Sequence, residues 1–129
     1  ILALVRKLRS THKSAVVFIT HDMGVVSELA DRVMVMYAGR IVERGSRTEL
    51  FSDPRHPYTR ALLGSIPPLT GAKPRRLPAI PGSPPSLLRL PQGCAFGPRC
   101  PVRYEPCLTD KPDLGAATHA AACFRVAQV

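Results

Sequence analysis

Three sets of residues in this chain have the types and spacing to do chemistry. The first is a single histidine. An apolar run, Ala15–Ile19, ends in Thr20-His21-Asp22, and a second apolar stretch, Val25-Val26, starts at once. An imidazole at the C-terminal tip of a buried strand sits where open α/β sheets place their ligands. Such a group can donate a hydrogen bond to a phosphate oxygen. The second set is four cysteines, Cys94, Cys100, Cys107 and Cys123, spaced C-x5-C-x6-C-x15-C. As thiolates they are ligands for zinc or for an iron–sulfur cluster. They lie in a stretch with little apolar periodicity, so a bound metal would supply folding energy that apolar burial does not. Structural zinc sites usually bring ligands in close C-x2-C pairs, and there is none here. Wide, uneven spacing suits a loop wrapped around a cluster, with Gly93, Gly97, Arg99 and Arg103 as donors to its sulfurs. On spacing alone, zinc, free thiols and disulfides stay open beside the cluster.

The third set is the two remaining histidines with a chemical context. His56 precedes Pro57, which suits the first turn of a helix. We read His56 as the cap of that helix and Tyr58 as a packing residue. His119 stands four residues before Cys123 and could replace one thiol. We read it instead as a surface residue whose loss leaves the tail unchanged.

The elements that must position these groups are legible from periodicity. Ile1, Leu4, Val5 and Leu8 recur at one-face spacing, with Arg6, Lys7 and Arg9 between them, which predicts an amphipathic helix over 1–12. Ala15–Thr20 is short, continuous and β-branched, and is expected to be a buried strand. Val25, Val26 and Leu29 predict a short helix after His21. Arg32–Tyr37 and Arg40–Glu43 read as two strands joined through Ala38-Gly39. Ser46 and Glu49 have the spacing of a capping box. Asp53-Pro54 ends the helix they start, and another is expected over Tyr58–Ser65. Then the composition changes: eight of the 25 residues from Pro67 to Pro91 are proline. That segment can form neither helix nor central strand and is expected as a strap or linker.

The chain has 129 residues and a net charge of +9, with no basic run longer than two and no Trp. The positive charge could attract nucleic acid or an anionic surface. A base-stacking platform is poorly supported by so few aromatics, and no nucleic-acid partner is expected. No stretch approaches the roughly 18 apolar residues of a membrane span, and no signal-peptide pattern occurs. The first residue is Ile1, inside a helical pattern without a cap, which suggests a cut end.

Val16-Val17-Phe18-Ile19-Thr20-His21-Asp22-Met23-Gly24-Val25-Val26 resembles the switch-histidine segment of ABC-transporter ATPases. Asp31–Glu43, His56-Pro57-Tyr58-Thr59 and the cysteine-rich tail narrow this to the ATPase subunits of oligopeptide and dipeptide importers, and the resemblance covers nearly the whole chain. It implies an α/β fold: the C-terminal part of a P-loop ABC-type nucleotide-binding domain over 1–65, a Pro-rich strap or linker over 66–92, and a Cys-rich iron–sulfur or zinc extension over 93–129. It implies that His21 is the catalytic residue that contacts the ATP γ-phosphate in the complete subunit. Further implications are a [4Fe–4S] cluster held by the four cysteines, Mg²⁺-ATP as cofactor, a second ATPase subunit and transmembrane permease subunits as partners, and a peripheral place on the cytoplasmic face of the cell membrane.

The sequence departs from the family pattern in three motifs. It has no Gly-rich loop ending in Gly-Lys-Ser/Thr, no Leu-Ser-Gly-Gly-Gln signature and no apolar strand ending in Asp-Glu. The expectation is a C-terminal fragment that by itself neither binds nor hydrolyses ATP. The alternative is a stand-alone metal-binding interaction module with a basic surface.

Overall fold

The computed structural model describes residues 2–67 and 79–126. The middle of the expected Pro-rich strap, residues 68–78, and the ends of the chain lie outside them. The order of elements is α1 (Leu2–His12), α2 (Met23–Leu29), β1 (Arg32–Tyr37), β2 (Arg40–Ser46), α3 (Arg47–Ser52), α4 (Pro57–Gly64), a single 3-10 turn (Gly97–Arg99), α5 (Pro106–Thr109) and β3 (Ala120–Ala121). The protein is thus mixed α and β, with one three-stranded antiparallel sheet in the order β1-β2-β3.

The hairpin β1–β2 turns through Ala38 (φ 48°) and Gly39 (φ 77°). Two successive left-handed residues make the tight turn whose twist matches the flanking strands. Its register slips by one residue at Val35/Met36, where Val35 faces Glu43 but Met36 faces Ile41. Val42 is the extra residue of this bulge. A bulge breaks the in–out alternation, so Val42 and Glu43 are both buried although adjacent. Ala122 N–H donates to the Val42 carbonyl at 2.8 Å, and β3 pairs with Glu43 and Arg44. The distorted point of the hairpin is therefore where the tail joins the sheet.

The expected capping box is present: Ser46 Oγ accepts from Glu49 N–H, and Glu49 Oε2 accepts from Ser46 N–H at 2.7 Å. The helix at Pro57 also forms as expected, with His56 at its N-cap. Val35, Tyr37, Val42, Leu50 and Phe96 make the core. Phe96 comes from the cysteine-rich region and packs edge-on to Tyr37 with ring centres 5.3 Å apart. Arg99 fastens the Pro-rich stretch at Ile80-Pro81, donating to the carbonyls of Pro81 at 2.8 Å and Ile80 at 3.0 Å and to the Tyr37 hydroxyl at 3.2 Å.

Residues 2–31 behave differently, and one expectation fails there. Ala15–Thr20 is extended but belongs to no strand, and Val17 and Ile19 are 89% and 95% exposed. A strand is buried only when neighbours pair both its edges and cover both its faces. Among the described residues none pairs with it. Helix α1 is held to α2 and the turn after it by polar contacts: Arg6 with Glu28, and Arg9 with Asp31 and the Leu29 carbonyl. It leaves Leu4 and Leu8 exposed.

Candidate functional site

His21 stands on the connection between the extended run and α2 and is exposed. The next residue, Asp22, is the N-cap of α2: its carboxylate accepts from Gly24 N–H at 2.8 Å and Val25 N–H at 3.2 Å. Thr20 Oγ1 in turn accepts from Asp22 N–H at 3.0 Å. Capping is therefore done by Asp22 and not by His21. The imidazole is left at the mouth of the helix, with no hydrogen bond among the described residues.

The four cysteines, spread over 30 residues of chain, meet at one cavity. Its free volume is about 10 Å³, and His56, Phe96 and Arg125 also line it. All four are free thiols, each half-buried. The first and third segments close because Gly93 has no side chain: a Cβ there would lie 2.4 Å from the Cys107 carbonyl oxygen. Cys94 N–H donates to that same oxygen at 2.9 Å.

Burial pushes the thiols of Cys94, Cys100 and Cys123 above the ordinary range, since desolvation penalises the thiolate. Backbone amides work against this. Cys94 sulfur faces the N–H groups of Phe96 and Gly97, Cys100 that of Val102, and Cys123 that of Arg125 at 3.4 Å. The neighbouring thiols disfavour each other's ionisation, as expected of groups sharing one space. Of the donors expected for these sulfurs, Gly97 serves Cys94. Arg99 and Arg103 instead bond carbonyl oxygens, Arg103 that of Pro98. Among the described residues, no three His, Cys, Asp or Glu side chains form a group that could hold a metal ion.

A second polar cluster lies behind the cavity, and the sequence reading missed it. Glu43 is completely buried. Its Oε1 accepts from Arg55 N–H at 2.8 Å and meets His119 Nε2 at 3.0 Å, while Oε2 accepts from His56 N–H at 2.8 Å. Buried carboxylates persist only when so paired. His119 is thus neither a thiol-like ligand nor a surface residue: it is 4% exposed and bound to Glu43. Its carbonyl also accepts from Arg55 Nη1 at 2.9 Å.

His56 Nδ1 accepts from Tyr58 N–H at 3.0 Å, which assigns the ring proton to Nε2. Burial holds the His56 imidazole down at about 4, against the raising effects of Glu43 and of the Ala122 backbone, which bonds the ring. The missed signal is the bulge. Alternation along β2 opposes Glu43 to Val42, and only the register slip turns both inward.

With this geometry in place, comparison with known proteins is direct. The family described as oligopeptide/dipeptide transporter, C-terminal region, matches residues 42–107, which run from the bulge through the third cysteine. The chain belongs to this family. The oligopeptide transport ATP-binding protein OppD of Mycobacterium tuberculosis is 50% identical over 97% of this chain and 21% of its own length. A probable peptide ABC transporter ATP-binding protein of Sinorhizobium fredii, y4tR, is 50% identical over the whole of this chain and 39% of its own length. A putative peptide import ATP-binding protein of Brucella ovis is 47% identical over 97% of this chain and 39% of its own length. The chain therefore spans between about a fifth and two fifths of these relatives. None of its described helices is long and apolar enough to cross a membrane.

Proposed function

We propose that this chain works as the C-terminal portion of the ATP-binding subunit of an oligopeptide or dipeptide ABC importer. The observation that carries this is identity of about half the residues along the whole chain, from α1 to the last cysteine, with relatives named as peptide transport ATP-binding proteins. A stand-alone metal-binding module would share the tail but not residues 1–41. The complete subunit would bind Mg²⁺-ATP, pair with a second ATPase subunit, and dock on transmembrane permease subunits at the cytoplasmic face of the membrane.

In that subunit His21 acts on the γ-phosphate. Phosphoryl transfer to water is driven by charge stabilisation and positioning. An imidazole held at a helix mouth by the Asp22 cap can supply a hydrogen bond that strengthens as charge develops. Replacing His21 by Ala in the complete subunit should lower ATP turnover by roughly 10²-fold or more, with ATP binding largely kept. Wild-type turnover in that variant would reject the role. The 129-residue chain alone, without a phosphate loop, should show no magnesium-dependent turnover.

The thiol cavity is the place for a [4Fe–4S] cluster, with zinc as the alternative. Four thiols on one cavity, with amide donors at three of them, fit the chemistry of thiolate ligation. Cys94, Cys100, Cys107 and Cys123 would hold it. When bound it would supply a cross-link that holds the tail together.

A further inference from the structure

Cys123 is separated from Cys107 by fifteen residues, and it reaches the cavity by a different route from the other three. Cys94, Cys100 and Cys107 sit on local turns: Cys100 N–H donates to Gly97 O at 3.2 Å and Cys107 N–H to Tyr104 O at 2.9 Å, and Cys94 N–H joins the first segment to the third through Cys107 O at 2.9 Å. Residues 119–123 have a single local bond of this kind, Cys123 N–H to Ala121 O at 2.9 Å. They are held by the hairpin and by the corner that precedes α4. The His119 ring is bonded to Glu43, its carbonyl to Arg55, Ala122 N–H to the Val42 carbonyl, and the Ala122 backbone to the His56 ring. The same Glu43 carboxylate accepts the amides of Arg55 and His56. One buried side chain thus ties the corner at 55–56 and the segment that carries the fourth thiol.

Resting on the reading of the cavity as a metal-cluster site, we infer that Glu43 is the positioning residue for Cys123, and that filling the cavity and ordering the 55–56 corner are reciprocally coupled through it. The carboxylate touches no thiol. It fixes the backbone that presents one. Because three donors converge on two oxygens, the arrangement tolerates no partial loss: an amide in place of the carboxylate sets an N–H₂ against a donor. Coupling of this kind is mutual by necessity. Whatever tightens residues 119–123 onto the cavity tightens Glu43, and with it Arg55 and His56 on the ATPase side of the chain.

The test reads each thiol separately. The reduced, metal-free 129-residue chain is alkylated with iodoacetamide, and the rate at each cysteine is followed by mass spectrometry. In Glu43→Gln and in His119→Leu, Cys123 should react roughly 10-fold faster than in wild type, while Cys94 and Cys100 change by less than about threefold. His119→Gln, whose amide can still donate to Glu43, should restore slow alkylation of Cys123. If all four thiols accelerate together in both variants, the effect is general unfolding and the positioning role is wrong. An unchanged Cys123 overturns it as well.

The coupling is read by loading the wild-type chain anaerobically with iron and sulfide. Amide exchange in peptides covering 54–58 should slow by roughly 10-fold on loading, and by much less in Glu43→Gln. Equal exchange with and without the cluster refutes the coupling. A chain that takes up no iron and sulfide, yet still shows the selective Cys123 response, rejects the cluster and the coupling but leaves the positioning role standing.

Discussion

Replacing Phe96 by Ala tests whether the cysteine-rich tail and the hairpin are one cooperative unit. Phe96 is 1% exposed. Its ring lies 5.3 Å from Tyr37, 5.5 Å from Tyr58 and 5.9 Å from His56, and Tyr37 lies 4.6 Å from Tyr58. Truncating a buried Phe to Ala costs about 3–5 kcal/mol from lost transfer energy and the cavity left behind. Each aromatic pair adds about 0.5–1.5 kcal/mol beyond its area. With three ring partners the upper half of the range applies, about 4–5 kcal/mol. That is a large part of the stability of a small domain, about 5–15 kcal/mol.

The assay is urea unfolding of the reduced chain, followed by far-ultraviolet circular dichroism and by protease sensitivity within residues 32–64 and 93–126. Both regions should lose stability together, because the ring belongs to both. Phe96→Leu, which fills most of the volume, should cost less than about 1.5 kcal/mol. The reasoning is refuted if Phe96→Ala costs under about 1 kcal/mol, or if the tail opens while the hairpin transition stays put.

Two further outcomes follow from the same geometry. His56 is held near 4 in the folded chain against 6.5 when exposed, so the unfolded chain binds the extra proton between those values. The folded state should then keep its full stability above pH 6.5 and lose roughly 3 kcal/mol as the pH falls to about 4. Denaturation midpoints of the metal-free chain at pH 7, 5.5 and 4 measure this, and His56→Asn, which keeps a capping oxygen but does not titrate, should flatten the decline. Chain made without oxygen should be brown and carry about four iron and four sulfide. Changing any one of Cys94, Cys100, Cys107 or Cys123 to Ser should remove the colour and expose residues 93–126 to protease. One tightly held zinc without sulfide would replace the cluster by the alternative ligand.

Local signals were read correctly where local chemistry decides. Ser46 and Glu49 three residues apart, Pro57 after His56, and Ala38-Gly39 between two β-branched runs each dictate a backbone conformation within four residues, and each conformation is present. The same holds for the family, because Asp31–Glu43, His56–Thr59 and four cysteines are carried by residue type and order alone.

Burial was not legible in the same way. Ala15–Ile19 has the composition of a buried strand, yet a strand's partners are supplied by other parts of a fold, and among the described residues none pairs with it. Glu43 and His119 look like surface residues by type, 76 positions apart. A one-residue slip in a hairpin turns the first inward, and pairing with β3 brings the second against it. The sequence alone determined which turns, caps and ligand types this chain carries, since these depend on neighbours along the chain. Only the tertiary structure decided that four distant thiols share one cavity and that a buried carboxylate ties His119, four residues before the last of them, to the helix corner, because desolvation and partner distance are properties of the packed molecule.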